Sequence, residues 1–234
     1  MISMVEPARD SGCAKTITLS QNETESLCMK AARGAGFSWG LAEEAGFAAG
    51  WLAARGVDAT PQLLALLLQK LQTAANFGTP VPQPGHWCAT GQAPLCPIIL
   101  GSALVDSARL ATGLCSRDTQ LDPVAAPILL LPFLARAAQV CGNPLAAIWP
   151  EGSLPISTHG GFDRQAAIAW QSKDQLALVI STANRLDLPQ TQPQSLPSIS
   201  VGVLNELTAL ALKTTVPATD ASRRGAGSAT ADND

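Results

Sequence analysis

The chain has 234 residues, a formal net charge of −3 at pH 7 and charged side chains at only 14% of positions, against roughly 25% in an average soluble domain. With 19 Gly, 17 Pro and a hydrophobic fraction of 47%, it is neither disordered nor collagen-like, and its mild acidity excludes a nucleic-acid binder driven by net charge. What is left is a globular chain long enough to bury a core without disulfide staples.

The first fifteen residues carry Glu6, Arg9, Asp10 and Lys15 and no apolar run. They read as a mobile extension and not as a secretory leader. No stretch reaches ~18 uninterrupted apolar residues, so no membrane span is expected. Six cysteines, Cys13, Cys28, Cys88, Cys96, Cys115 and Cys141, form no CxxC pair. Reduced, buried thiols and a cytoplasmic location are the expectation.

Ser20 followed by Glu23 is a capping box, which predicts a helix from about Gln21 to Ala32, closed at Gly34 and Gly36. Ser38 is the N-cap of a second helix running from Trp39 to about Arg55 and stopped at Gly56. Thr60-Pro61 opens a third, since proline at the first helical position loses no hydrogen bond. Residues 16–77 thus form a helical unit. From Gly78 to Pro97 the density of Pro and Gly predicts neither helix nor strand but a loop or linker. Residues 98–212 read as a mixed region. Its expected strands are Ile98–Leu100, Ile128–Leu131, Ala146–Trp149, Ala166–Trp170 and Leu176–Ile180, and its expected helices cover Ala103–Ala111 and Phe133–Val140. A Pro/Gln-rich connector spans Thr191–Pro197, a helix closes the region over Val201–Leu212, and residues 213–234 form a tail. Helices and strands come in blocks without a βαβ rhythm, so the fold class is α+β.

Gly34, Gly36 and Gly40 are spaced GxGxxxG and follow a helix, whereas a dinucleotide fingerprint is GxGxxG after a strand; they read as a helix–helix turn. Arg33 beside the free N–H groups that open the second helix suits a carboxylate. His86, Cys88, Cys96 and His159 are ligand types for zinc, but their spacing matches no known set, so neither a metal nor a cofactor is expected. His159, followed by Gly160 and Gly161, is either a surface residue or a general acid or base. Glu44, beside Glu43, is either a solvated helix residue or a base.

Two segments, LSQNETESLCMKAARGAGFSWGLAEEAG (residues 19–46) and KTTVPATDASRRGAGSATADND (residues 213–234), resemble the bacterial proteins grouped as domain of unknown function 3726. These open with an RGAG-x-SWG-x-AEEAG-like segment and close with a VPA-x-x-x-SR…GAG…DND-like tail. The family name supplies no activity. The resemblance implies an ordered tail, with Ser222, Arg223, Asp232, Asn233 and Asp234 folded back onto the start of the second helix near Arg33, Ser38 and Trp39. Arg33 and Arg223 would then bracket a small anionic metabolite, with Asp106 or Glu44 nearby for acid–base work.

Two functions stay open. One is a cytoplasmic protein of small-molecule catabolism that binds or transforms a carboxylate-bearing metabolite. The other is a non-catalytic subunit that docks on a partner enzyme. The shortage of polar side chains to cover the surface also points to a homo-oligomer.

Overall fold

A computed structural model describes residues 15–72, 77–183 and 194–214. Strand β1 (Thr16–Thr18) leads into α1 (Gln21–Gly34), α2 (Trp39–Ala53) and α3 (Thr60–Gln72). The capping box is present: Ser20 Oγ accepts the Glu23 N–H at 3.2 Å and Glu23 Oε2 accepts the Ser20 N–H at 2.8 Å. Ser38 caps α2 as expected. One side of α2 is built of Ala42, Ala45, Gly46, Ala49 and Gly50, all buried. A Cβ on Gly46 would fall 2.6 Å from the Glu25 carbonyl oxygen, so glycine there is what lets α1 and α2 pack backbone to backbone.

The next elements are β2 (Pro80–Gln83), β3 (His86–Ala89), α4 (Pro97–Asp106), β4 (Thr119–Ala125) and α5 (Leu131–Cys141). They are followed by β5 (Leu145–Trp149), β6 (Gly152–Ile156), α6 (Arg164–Gln171), β7 (Gln175–Thr182), β8 (Ser198–Ser200) and α7 (Val201–Leu212). Six strands form one mixed sheet in the order β2-β3-β4-β7-β5-β6. Among the described strands only β3 and β4 run parallel, pairing His86 with Gln120 and Trp87 with Leu121. Strands β1 and β8 pair separately, with Thr16 opposite Ser200, and tie the start of the described chain to α7. The class is α+β, as the block arrangement predicted. One contiguous core runs from Ala31, Leu52 and Leu67 in the helices to Trp87, Leu121, Ala147 and Ile180 in the sheet.

Four local expectations are corrected. Ile98–Leu100 belongs to α4, where Pro97 occupies the first turn and Cys96 is the N-cap. Ile98, Leu100, Gly101 and Leu104 are all buried there, so the apolar run had no exposed face to betray a helical period. Ile128–Leu131 is likewise a 3₁₀ turn (Pro127–Leu130) running into α5. Ala166–Trp170 is helical, because Asp163 caps α6 by accepting the Gln165 N–H at 2.8 Å. In place of an irregular loop, part of the stretch from Gly78 to Pro97 forms the antiparallel β2–β3 pair, its prolines lying on the outermost strand of the sheet where a missing N–H costs nothing.

The thiols also depart from expectation. Cys115 and Cys141 form a disulfide with Cα atoms 5.1 Å apart. The loop after α4 carries Cys115 to the C-terminus of α5, where Arg109 Nη2 also donates to the Val140 carbonyl at 2.9 Å. A spacing of 26 residues gives no hint of this, because the pairing depends on how α4 packs against α5. No helix among the described residues is long and apolar enough to cross a membrane. The N-terminal extension, apart from Lys15, lies outside the described residues, as does the tail beyond Thr214, including Ser222, Arg223, Asp232, Asn233 and Asp234.

Candidate functional site

Helices α2 and α5 pack side by side, and the loop joining β6 to α6 crosses near one end of the pair. Between these three parts lies a cleft of about 260 Å³ lined by Trp51, Arg55, Arg136, Gln139, Thr158 and His159 among others. Each wall has a local cause. Trp51 lies in the last turn of α2 and Arg55 in the turn that follows it, four residues on, so they stack on the same side: the guanidinium sits 3.6 Å over the indole ring and Nη1 donates to the Trp51 carbonyl at 3.2 Å. Trp51 is held in turn by stacking on Phe162 at 5.7 Å between centroids. Arg136 and Gln139 project from one side of α5. The 157–161 loop is closed on itself, with the Gly161 N–H donating to Ser157 Oγ at 2.8 Å and the Gly160 N–H to the Ser157 carbonyl at 3.0 Å. Gly160 has φ +75, a left-handed conformation that glycine adopts without strain.

The cleft is cationic. Arg136 Nη1 donates to Glu44 Oε2 at 2.8 Å, so part of its charge is matched. Arg55 has no carboxylate partner among the described residues, and its Nε is buried without a hydrogen bond. Burial holds the pKa of Arg55 below the ordinary guanidinium value, yet a guanidinium stays protonated. A partly desolvated cation interacts more strongly with an anion than one in bulk water does. A carboxylate in this cleft would meet two guanidinium groups, the side chains best shaped to grip it, with His159 at the rim.

Of the residues anticipated from sequence, His159 lines the cleft and Glu44 touches one of its lining residues, Arg136. Arg33, Ser38 and Trp39 cluster at the corner between α1 and α2 and do not line it. Arg33 Nη1 donates to the Phe37 carbonyl at 2.7 Å and its guanidinium lies 5.1 Å from the Trp39 ring. The Ser38 hydroxyl accepts the Leu41 N–H as the helix cap. Asp106 is exposed at the last turn of α4, away from the cleft lining. Sequence reading missed Arg55 and Arg136. The one signal available for Arg55 was its place one helical turn after Trp51; Arg136 is a lone charge in an apolar helix. The four anticipated zinc-type donors do not assemble, since Cys96 is buried at the start of α4 and His159 is in the cleft loop. His86 and Cys88 remain neighbours, joined by Asp122 on the other side of the sheet.

A second cleft, of about 320 Å³, lies between α3, the end of β4 and the turn that joins α6 to β7, lined by Gln62, Gln69, Gln171, Lys173 and Asp174 among others. Lys173 and Asp174 offset each other there, so it lacks the first cleft's concentration of one charge.

The family model described as "Protein of unknown function (DUF3726)" matches residues 19–89, the stretch from just before α1 to the end of β3. No curated protein matches the chain. Among solved structures, the chain is similar to a malate dehydrogenase from Entamoeba histolytica, with 11% identity and a TM-score of 0.40 over 61% of this chain and 43% of that one. It is also similar to a malate dehydrogenase from Pyrococcus horikoshii OT3, with 10% identity and a TM-score of 0.42 over 85% of this chain and 65% of that one. The chain spans less than two thirds of either structure's length.

Proposed function

We propose that this member of the DUF3726 family, matched over residues 19–89, binds a small carboxylate-bearing metabolite in the cleft between α2, α5 and the 157–161 loop. The observation that carries this reading is the pair Arg55 and Arg136 lining one small cleft, with only Arg136 matched by a carboxylate among the described residues. Arg55 supplies the unmatched charge. Arg136 is aimed by Glu44, and in this reading His159 gives or takes a proton on a bound acid. Arg33, Ser38 and Trp39 serve the α1–α2 corner in this reading, and Asp106 has no part in it. The expected contribution of Ser222, Arg223 and Asn233 travels with the proposal as a separate question, answered by ending the chain after Thr214 and measuring affinity again.

The test is a thermal-shift screen of mono- and dicarboxylates against the full chain and against Arg55→Gln. The expected result is a concentration-dependent rise in Tm for a subset of these acids that is lost in the variant, since binding to the folded state stabilises it by mass action.

A cytoplasmic location belongs to this reading. The Cys115–Cys141 bridge is the observation against it, because reducing compartments keep such thiols apart. Acid-trapping the thiols in cells and counting the blocked cysteines separates the two.

A second reading, that of an accessory subunit docking on a partner enzyme or on its own copy, is favoured by the open face of the sheet. Ile148 on β5 and Val179 on β7 are register partners and are 40% and 37% exposed. Light scattering on the purified chain, alone and with candidate partner enzymes, tests it.

A further inference from the structure

The face of the six-stranded sheet turned away from the core carries a grouping unrelated to the anion cleft. His86 and Cys88 flank buried Trp87 on β3, so both side chains leave on the opposite, open face. The parallel register with β4 sets His86 opposite Gln120, and two residues further on Asp122 lies across from Cys88 on that same face. His86 Nε2 is 2.9 Å from Asp122 Oδ1, and Cys88 Sγ is 3.4 Å from His86 Nδ1 and 3.8 Å from Nε2. One donor atom from each residue lies within 4.8 Å of the other two. Asp122 Oδ2 accepts the Ala89 N–H at 2.8 Å, which holds the carboxylate with its other oxygen towards the imidazole.

We propose that His86, Cys88 and Asp122 form a binding site for one divalent transition-metal ion, best suited to zinc, with a fourth position open to water. Thiolate, imidazole and carboxylate are all zinc ligands. Bonds of about 2.3 Å to sulfur and about 2.0–2.1 Å to nitrogen or oxygen place tetrahedral ligand atoms roughly 3.3–3.6 Å apart. The observed separations of 2.9 and 3.8 Å bracket that spacing, and turning the Cys88 side chain towards Nε2 is the adjustment the site requires. Magnesium and calcium, which want oxygen ligands, are poorly served by a sulfur and a nitrogen. The His86 and Asp122 side chains are 39% and 30% exposed, so solvent reaches the remaining coordination position.

The test uses the metal-free full chain carrying Cys13→Ser, with the Cys115–Cys141 bridge intact. Cys28 and Cys96 are buried, their thiols pushed up to about 12 and about 11, which makes them poor competitors for metal. Co²⁺ is titrated and followed by thiolate-to-cobalt charge-transfer absorption; Zn²⁺ is titrated by calorimetry. One equivalent is expected to bind, and Cys88→Ser to abolish the charge-transfer band. His86→Ala and Asp122→Asn should each weaken Zn²⁺ binding by at least about tenfold. Asp122→Asn keeps an acceptor for the Ala89 N–H and Cys88→Ser is nearly isosteric, so both are expected to keep the wild-type circular dichroism. Zn²⁺ should also slow alkylation of Cys88 by iodoacetamide. Absence of binding, a charge-transfer band that survives Cys88→Ser, or alkylation of Cys88 at the same rate with and without Zn²⁺ would each overturn the proposal.

Discussion

Arg136 on α5 donates to Glu44 on α2 at 2.8 Å while its guanidinium lies 3.4 Å from the centroid of the Phe47 ring. Carboxylate and aromatic ring together fix the direction of the arginine across a helix–helix contact. The paired side chains are 38% and 29% exposed, and an ion pair so open to water contributes at most about 1 kcal/mol. Its consequence is orientation and charge balance at the cleft more than stability. Glu44 competes with any incoming carboxylate for Arg136. Glu44→Gln is therefore expected to leave Tm nearly unchanged and to raise affinity for small carboxylates about two- to fivefold, the equivalent of the pair's own strength. Calorimetric titration of the variant beside the wild-type chain checks this.

Gly160 couples the loop to the cation. Its φ is +75, and an added Cβ would lie 3.3 Å from Trp51 Cζ2 and 3.4 Å from Arg55 Nη2. Gly160→Ala is expected to cost about 1–2 kcal/mol of stability through the left-handed backbone. It should also weaken carboxylate binding by displacing Arg55. Urea unfolding and a binding titration on the same preparation read the two effects separately. Loss of stability with affinity untouched would mean that the loop does not position the arginine.

The Cys115–Cys141 bridge closes a loop across the α4–α5 junction, with a sequence separation of 26. In the chain-entropy account a loop of that size is worth roughly 3–4 kcal/mol. Cys141→Ser, or reduction of the wild-type chain, should lower the urea midpoint accordingly, and reduction should have no further effect on the variant.

The capping box gives a pH dependence with a definite sign. Glu23 is held below the ordinary carboxyl value first by its hydrogen bond with the Ser20 side chain and then by the Ser20 backbone N–H. A depressed carboxyl contributes stability that is fully present above its unfolded value of about 4.3 and is lost as pH falls through the folded value. Ser20→Ala is expected to lower Tm at pH 7, and the gap from wild type should narrow below about pH 4. Melting curves at pH 7 and pH 3 measure it.

The N-terminal helices were legible because their signals are local: Ser20 with Glu23, Ser38 before Trp39, and Pro61 after Thr60 each satisfy helix-end groups within one turn of chain. The segments that were misread lack such contrast. Ile98, Leu100, Ile128 and Leu131 are fully buried, and an apolar run buried on every side looks the same in a strand as in a helix. Strand β4 escaped notice for the opposite reason, since Asp122 and Pro123 interrupt its apolar pattern. The candidate site was half visible. Glu44 and His159 stood out as chemistry-bearing residues, but Arg136, the cleft residue that Glu44 touches, sits 92 positions from Glu44 and meets it only when α2 packs on α5. Asp122 joins His86 and Cys88 through strand pairing, which no spacing rule for metal ligands encodes. Arg33 drew attention through its glycine-rich surroundings, and its guanidinium proved to be engaged with the Phe37 carbonyl and the Trp39 ring.

The most direct test of the central claim is calorimetric titration of the best small carboxylate from the screen into the wild-type chain, Arg55→Gln and Arg33→Ala. A hydrogen-bonded charge contact is worth about 1.5–3 kcal/mol. Saturable one-to-one binding is therefore predicted for wild type, with affinity reduced by at least about tenfold in Arg55→Gln and unchanged in Arg33→Ala. Binding that survives Arg55→Gln, or that is lost in Arg33→Ala while the variant remains folded, would contradict the placement of the site between α2 and α5.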